Sequence, residues 1–265
     1  MSSLNLKSAL RTLLVSAMLM CCTTAAWAQA DKKAKPAMQT QGAIATVWMF
    51  WPKAGQGPQF EAAIKKHAAW RKSAGEKFVW SIYQPIVGSD LGYYVVRSGR
   101  HEWEELDANE AWGMQAKADD AFNTTVNPFV DRAEHYFSEL DHKHSNWIES
   151  PDYKYYSVSN YSAKPGMYGD RREALDKIQK AVIDEKWAYS YSIAHTMGGS
   201  GGFSIVTPMK SYAEMADPDP SLMKILAKSL GSESEATSTM KQFSSTINGS
   251  ETTIYVRRAD LSTPE

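Results

Sequence analysis

Cysteine is almost absent from this chain of 265 residues. The two cysteines, Cys21 and Cys22, both lie within residues 1–28, which carry the features of a secretory signal. Once that segment is removed, no disulfide, thiolate metal site or cysteine nucleophile can form, and packing alone must stabilise the fold. Lipid attachment at Cys21 or Cys22 stays open, although neither follows the small residue that the lipoprotein motif requires.

The chain also lacks a strong excess of either charge sign and a second long apolar run. Without the two bases of residues 1–28, the chain has 27 basic and 30 acidic residues, a net charge of −3. No basic stripe is present, which argues against a nucleic-acid partner. No further run of about 18 apolar residues could span a membrane. The H-E-x-x-H, C-x-x-C and EF-hand patterns are missing too, so no metal site is predicted.

The N-terminal segment predicts export. Lys7 and Arg11 give a positively charged start, residues 13–22 are apolar but too short to cross a bilayer, and a small-x-small cleavage site ends at Ala28. We therefore expect a signal peptide over residues 1–28 and a periplasmic or secreted protein. Residues 29–42, with several lysines and little apolar surface, are predicted to form a flexible leader.

The remaining chain contains an internal repeat. Two blocks recur after a shift of 109 or 110 positions, and residues 130–145 align without a gap on residues 247–262. The recurring blocks are EKFVWSI at 76–82 with EKWAYSY at 185–191, and GYYVV at 92–96 with GFSIV at 202–206. Such a repeat predicts two similar units. We place them at residues 43–142 and 153–265, with a linker over residues 143–152.

Each unit has the order β-α-β-β-α-β. In the first unit, apolar and β-branched runs predict strands, and apolar residues at helical spacing predict helices. The strands are expected at 44–51, 78–83, 92–97 and 134–140, and the helical segments at 60–71, 103–107 and 111–122. This order is ferredoxin-like and leaves one face of the sheet bare. The predicted fold is α+β, with two fused ferredoxin-like repeats packed sheet to sheet as a pseudo-dimeric barrel.

This organisation resembles the dimeric α+β barrel superfamily. The features that carry the resemblance are the strand ending in Trp51-Pro52-Lys53-Ala54-Gly55, the helix after it, the strand pair at Phe78 and Gly92, and Trp103 at the start of a helical turn. The resemblance covers nearly the whole exported chain. The superfamily includes antibiotic-biosynthesis monooxygenases that need no cofactor, haem-degrading monooxygenases, chlorite dismutases, dye-decolorising peroxidases and stress-responsive barrel proteins. The resemblance by itself therefore implies a scaffold that serves several functions.

Alternation along the strands predicts which side chains face the barrel interior. Small and polar residues on that face would leave a cavity, and a ligand would lie in it. The predicted ligand-binding residues are Ser81, Tyr83, Tyr94, Tyr136, Ser190, Ser192 and Tyr255, with His67 added from the first helix. In the alternative, the serines only allow the two sheets to pack closely, and the aromatic residues are ordinary core.

Histidines supply the candidate bases. His135 on the fourth strand and His195 beside a glycine-rich turn are the candidate catalytic residues, whereas His101, His142 and His144 are expected to be solvated. No cofactor is predicted. Haem stays open only through His67, because the second helices lack the histidine of the haem-degrading relatives and the peroxidase G-x-x-D-G motif is absent.

Two functions follow from these patterns. The first is an exported protein that binds an apolar or aromatic small molecule and whose activity is unassigned. The second is a cofactor-independent, monooxygenase-like oxidoreductase that acts on a phenol or quinol, with His135 or His195 as base. The expected partner is a small molecule, with no nucleic acid and no membrane span, and a homo-oligomer stays open.

Overall fold

The computed structural model describes residues 42–199 and 201–264. The predicted signal peptide and the leader up to residue 41 lie outside the described residues. The first half begins with β1, Ile44–Pro52, whose β-branched and aromatic residues favour an extended chain. Its other elements are α1 Gly57–Ser73, β2 Ser81–Val87, β3 Tyr94–His101, α2 Trp103–Ala116, α3 Ala118–Thr125, a 3-10 turn Asn127–Phe129 and β4 Val130–Leu140.

The second half repeats this order. It begins with β5, Tyr155–Ala163, and the turn after it contains Gly166 at a φ of 80°. The helix that follows buries apolar residues along one face, as α1 does. The remaining elements are α4 Tyr168–Asp184, β6 Ser192–Met197, β7 Phe203–Met209, a 3-10 turn Tyr212–Met215, α5 Leu222–Leu230, α6 Glu233–Ser245 and β8 Ile247–Arg257.

The eight strands are all antiparallel and close into a barrel in the order β1-β3-β2-β8-β5-β7-β6-β4. Within each half the strand order is fourth-first-third-second. The halves join through β2 with β8 and through β4 with β6. The predicted α+β class, with helices and an antiparallel sheet, is therefore confirmed.

The helices cover the outside of the barrel and form two separate cores. In the first half, α1 packs Phe60 and Ile64 against Ile82 and Val96 of the sheet. In the second half, α4, α5 and α6 pack on β6 and β7 around Ile193. The side chains that face the barrel axis belong to neither core, so the interior is a third environment, enclosed by strands alone.

Two short segments outside the strands make the same contact in each half. Ser145, after β4, accepts a hydrogen bond from the Ile193 N–H at 2.9 Å. Ser262, after β8, accepts one from the Ile82 N–H at 2.9 Å. Ser145 and Ser262 are paired in the gap-free alignment of residues 130–145 with 247–262. Both segments thus hold the start of the second strand of a half, and β2 begins at Ser81, later than the predicted start at residue 78.

The second helical region of the first half also differs from the prediction. The expected short turn at 103–107 is the start of the long helix α2, which the Glu105 side chain caps by accepting the Glu102 N–H at 2.9 Å. The helix breaks at Lys117, which has a left-handed φ of 55°. Within the described residues, no helix is long and apolar enough to cross a membrane.

Candidate functional site

Tyrosines dominate the face of the strands that points into the barrel. The opposite faces of β3, β6 and β7 belong to the two cores, so alternation assigns the remaining residues to the interior. We call the enclosed space the barrel interior. Its tyrosines are Tyr83, Tyr93, Tyr136, Tyr156 and Tyr255.

The interior tyrosines contact one another. The hydroxyl oxygens of Tyr93 and Tyr255 are 2.6 Å apart, and the ring of Tyr83 meets that of Tyr156 edge to face at 5.1 Å. Burial raises the pKa of Tyr136 to about 12, and it also raises the pKa of Tyr156 and Tyr255. These phenols therefore stay protonated at neutral pH, when they can donate hydrogen bonds.

Small residues lie between the tyrosines. Ser81, Ser192 and Ala194 occupy interior positions, as predicted from alternation. Val158 and Val206, which are paired across β5 and β7, face the same space near the middle of the barrel and are only partly buried. The middle of the interior is therefore not completely filled by the described side chains.

Two arginines enter the same space. Arg97 lies two residues after Val95 on β3, and Arg257 lies two residues after Tyr255 on β8. Residues two apart on a strand share a face, so both arginines face the interior. Neither arginine was predicted from the sequence to face the interior, and neither was Tyr93 or Tyr156. Alternation along β5 and β8 could have found Tyr156 and Arg257, because Tyr255 was already assigned to the interior.

Tyr94 does not line the interior, and this prediction is corrected. Its side chain lies in the core beneath α1, where its ring packs on Phe60 and its hydroxyl donates to Glu61 at 2.6 Å. Arg258 holds the same carboxylate through two of its nitrogens. Burial, followed by the bond to Glu61, raises the pKa of Tyr94 to about 12.

Ser190 is also unavailable to an interior ligand. It precedes β6, and its hydroxyl oxygen accepts a hydrogen bond from the Ile148 N–H at 3.0 Å. The residue therefore anchors the segment between the two halves, which is a structural role.

His67 is buried in the core of the first half, away from the barrel interior. Its ring lies between Trp70 and Phe122, with centroids 5.3 and 5.5 Å away. Burial lowers the pKa of His67 to about 4, and its Nε2 is buried without a partner in the described residues. A haem iron would need open space at that nitrogen. The packed rings leave none, so the residues around His67 do not fit a haem.

His135 lies on the outer face of β4 in a strip of aromatic side chains. Its ring stacks on Trp48 at 4.1 Å and meets Phe137 at 5.0 Å, and Phe137 in turn meets Trp103 at 5.3 Å. We call these four residues the aromatic strip. The His135 Nε2 is 2.9 Å from Thr46 Oγ1. Desolvation lowers the pKa of His135, which favours the neutral form.

His195 lies in a different group, at the seam between the halves. Its Nε2 is 3.7 Å from Asp141 Oδ2. His144 bridges Asp141 at 2.6 Å and Asp176 at 3.0 Å. Burial by itself would raise the pKa of Asp141, but the contacts with His195 and His144 outweigh it and hold the pKa below its usual value. His195 therefore belongs to the junction between the two halves. Its neighbours differ from those of His135, and the two histidines do not form one site.

Two expectations of solvated histidines are wrong. His144 is buried between its two aspartates. His101 is buried as well, bonded to Ser98 at 2.8 Å and stacked on Phe78 at 3.7 Å. The burial was not predictable locally, because Phe78 and Asp176, which contact these rings, come from remote parts of the chain. In the described residues no group of three or more His, Cys, Asp or Glu is arranged to hold a metal ion.

Comparison with known proteins adds information about the fold. No family model and no curated protein matches the chain. It is similar to a presumed monooxygenase from Lactobacillus acidophilus NCFM, with 10% identity, a TM-score of 0.50, and coverage of 83% of this chain and 94% of that one. A mutant chlorite dismutase from Candidatus Nitrospira defluvii in complex with cyanide has 9% identity, a TM-score of 0.52, and coverage of 84% and 94%.

A second mutant of the same dismutase gives 10% identity and a TM-score of 0.51, again over 84% of this chain and 94% of that one. At these identities the likeness carries no substrate and no reaction from one protein to the other. What it shows is the fold alone: this chain has a mixed α+β architecture similar to that of these solved structures.

Proposed function

We propose that this chain is a small-molecule-binding protein that holds an aromatic or apolar ligand in the barrel interior. One observation carries the proposal: Val158 and Val206 face the barrel axis midway along their strands, yet both stay partly accessible. A barrel of eight strands is just wide enough to be filled by its own side chains or to hold one small ligand. Accessible side chains in the middle favour the second case.

The lining suits a ligand with a ring and few polar groups. The five interior tyrosines offer flat apolar surface with hydroxyl donors at the ends. Ser81, Ser192 and Ala194 contribute little volume. Pockets for small molecules typically combine apolar walls with a few polar groups that fix orientation.

In this proposal the two halves are fused copies of one ferredoxin-like unit, and the ligand lies between them. The identical strand order of the halves supports this origin. The matching contacts of Ser145 and Ser262 support it as well. Both halves then contribute strands to one interior, as two subunits of a dimeric barrel would.

We also propose that the protein works outside the cytoplasm, because residues 1–28 have the pattern of a cleaved secretory signal. N-terminal sequencing of protein purified from its source tests this. A new N-terminus at Gln29 or close to it is expected. An intact Met1 in protein from the periplasm or medium would contradict the proposal.

A variant that fills the interior tests the ligand site. Val206→Phe places a ring in the space next to Val158, whereas Val79→Phe adds the same ring at a surface position that is 65% exposed. Binding of aromatic ligands to residues 29–265 is followed by tryptophan fluorescence, and folding by thermal melting. We expect Val206→Phe to weaken binding about tenfold or more and Val79→Phe to leave it unchanged. Equal binding by both variants would contradict a ligand site in the barrel interior.

A second candidate function rests on the aromatic strip. His135 is kept neutral by desolvation, so it can accept a proton, and Trp48, Phe137 and Trp103 form an apolar surface beside it. A phenol or quinol seated there would lose its proton to His135 and become electron-rich enough to react with dioxygen. The likeness to a presumed monooxygenase agrees with this reading at the level of fold.

Oxygen consumption separates the two candidates. The purified chain is incubated with quinol and phenol substrates in an oxygen electrode, alongside His135→Asn and His195→Asn. If the enzyme reading is right, His135→Asn loses activity by a factor of about 100 or more, and His195→Asn keeps it, because His195 serves the seam. No consumption by the unaltered chain with any of these substrates would leave binding as the proposed function.

A further inference from the structure

The two arginines of the barrel interior lack the partners that buried arginines normally have. Among the described residues, neither Arg97 nor Arg257 forms an ion pair or a side-chain hydrogen bond, and Arg257 Nε is buried without a partner. The next residue, Arg258, points out of the barrel and is fully paired with Glu61, Asp260 and Gln84. The contrast lies between the last residue of β8 and the residue directly after it.

An unpaired cation in an enclosed space is expensive. Its lost hydration must be replaced by an opposite charge and by hydrogen-bond acceptors. The carboxylates that act on the interior tyrosines bond elsewhere: Glu134 pairs with Arg132, Glu251 accepts a hydrogen bond from Ser89, and Asp90 accepts one from Trp51. None of them bonds to Arg97 or Arg257, so the described side chains give these two cations no anionic partner.

The backbone makes room for one of these cations. Gly99 lies two residues beyond Arg97 on the same face of β3. A Cβ built on Gly99 would come within 2.5 Å of Arg97 Nη1 and 2.8 Å of its Cζ. The absence of a side chain at position 99 thus allows the guanidinium to lie flat along the strand.

The two guanidinium groups act on the tyrosines of the barrel interior. Arg97 acts electrostatically on Tyr136 and Tyr156, and Arg257 acts on Tyr156. Tyr83 lies against Tyr156 at 5.1 Å and is paired with Arg257 across β2 and β8. Among the described residues, no carboxylate is hydrogen-bonded to these phenols or guanidinium groups.

We propose that the barrel interior binds the carboxylate of a small aromatic acid, with Arg97 and Arg257 as the anion-binding residues. Guanidinium groups match the planar, two-oxygen geometry of a carboxylate. The tyrosine rings provide the surface on which an aromatic ring packs. This inference rests on the proposed binding function and names its substrate class.

Benzoate and benzamide test it, since they share a ring and differ in charge. Each is titrated into residues 29–265 by isothermal calorimetry at neutral pH. We expect benzoate to bind at least about tenfold more tightly than its neutral counterpart. Arg97→Met and Arg257→Met should each remove this preference, whereas Arg172→Met, at an exposed position on α4, should leave it intact.

Two further measurements guard against a trivial loss of folding. Arg97→Met removes an uncompensated cation, so its melting temperature without ligand should not fall. Gly99→Ala keeps the charge but requires the guanidinium to move, so it should weaken benzoate binding less than Arg97→Met does and leave benzamide binding unchanged. Equal benzoate affinity in Arg97→Met and the unaltered chain would overturn the role of Arg97.

The outcomes separate this inference from the proposal on which it rests. If benzamide binds as tightly as benzoate and neither arginine variant changes this, the carboxylate site is wrong and ligand binding stands. If neither compound binds while the chain is folded, both proposals fail for this class of ligand. If inorganic phosphate binds as tightly as benzoate, the interior is a general anion site, and the aromatic acid is overturned as its specific ligand.

Discussion

Tyr93 and Tyr94 are neighbours in the chain but lie in different environments. Tyr93 meets Tyr255 inside the barrel, whereas Tyr94 bonds to Glu61 beneath α1. Composition cannot distinguish them, because an aromatic residue suits either face of a covered sheet. Aligning Gly92 with Gly202 put Tyr93 over Phe203, but the residue that shares the environment of Phe203 is Tyr94. A one-residue error in alignment exchanges the two faces of a strand.

His67 offers a prediction at the same scale. Its pKa is lowered to about 4 by burial and by Arg71. Between that value and the ordinary value of 6.5, the unfolded chain binds a proton at this residue and the folded chain does not. The free energy of unfolding should therefore fall as the pH drops through this window, by about 1–2 kcal/mol between pH 7 and pH 5.

The measurement is urea denaturation of the unaltered chain and of His67→Phe at both pH values. Phenylalanine retains the contacts with Trp70 and Phe122 but cannot titrate. We expect the variant to show a shallower loss of stability, with a remainder from His101 and His135, whose pKa values burial also lowers. An unchanged pH dependence would show that His67 is not buried in its neutral form.

At the scale of elements, the predicted start of β2 was too early. Residues 78–80 were expected to pair as a strand, but Trp80 donates its N–H to Thr263 Oγ1 at 2.9 Å. In the other half, Tyr191 pairs with Asn146 as an isolated bridge. These partners lie outside the predicted strands, so the local pattern of hydrophobic residues could not reveal them.

The junction between α2 and α3 gives the second prediction. Lys117 occupies a left-handed conformation with φ 55°, which costs a non-glycine residue about 1–2 kcal/mol. Lys117→Gly should stabilise the protein by about 0.5–1 kcal/mol, because glycine adopts this conformation without a Cβ clash. Lys66→Gly, at an exposed position within α1, should instead destabilise it by about 1 kcal/mol. Chemical denaturation of both variants checks the opposite signs.

At the scale of the whole molecule, closure of the barrel joins the two halves. β2 pairs with β8 and β4 pairs with β6, so each half supplies both edges that the other needs. Unpaired strand edges invite association with another chain. The interior exists only when these edges meet, which is why the tyrosines and arginines it contains could not be grouped by inspection of one repeat.

The third prediction concerns the separated halves. Residues 42–146 alone would expose β2 and β4 as open edges and uncover the interior face of the sheet. We expect this fragment to be recovered as a dimer or as larger aggregates, and light scattering after size-exclusion chromatography measures its mass. A stable, soluble monomer with native-like circular dichroism would contradict the view that the halves depend on each other.

Sequence alone determined the α+β class and the positions of Ser81, Tyr83, Tyr136 and Ser192 on one face, because these follow from local periodicity and from the two-residue alternation of strands. Tertiary structure decided which phenols meet, why Tyr94 and Ser190 serve packing, and how Arg97 comes to lie over Gly99. The physical reason is that barrel closure brings together side chains from strands that are remote in sequence, and whether their charges find partners depends on that geometry.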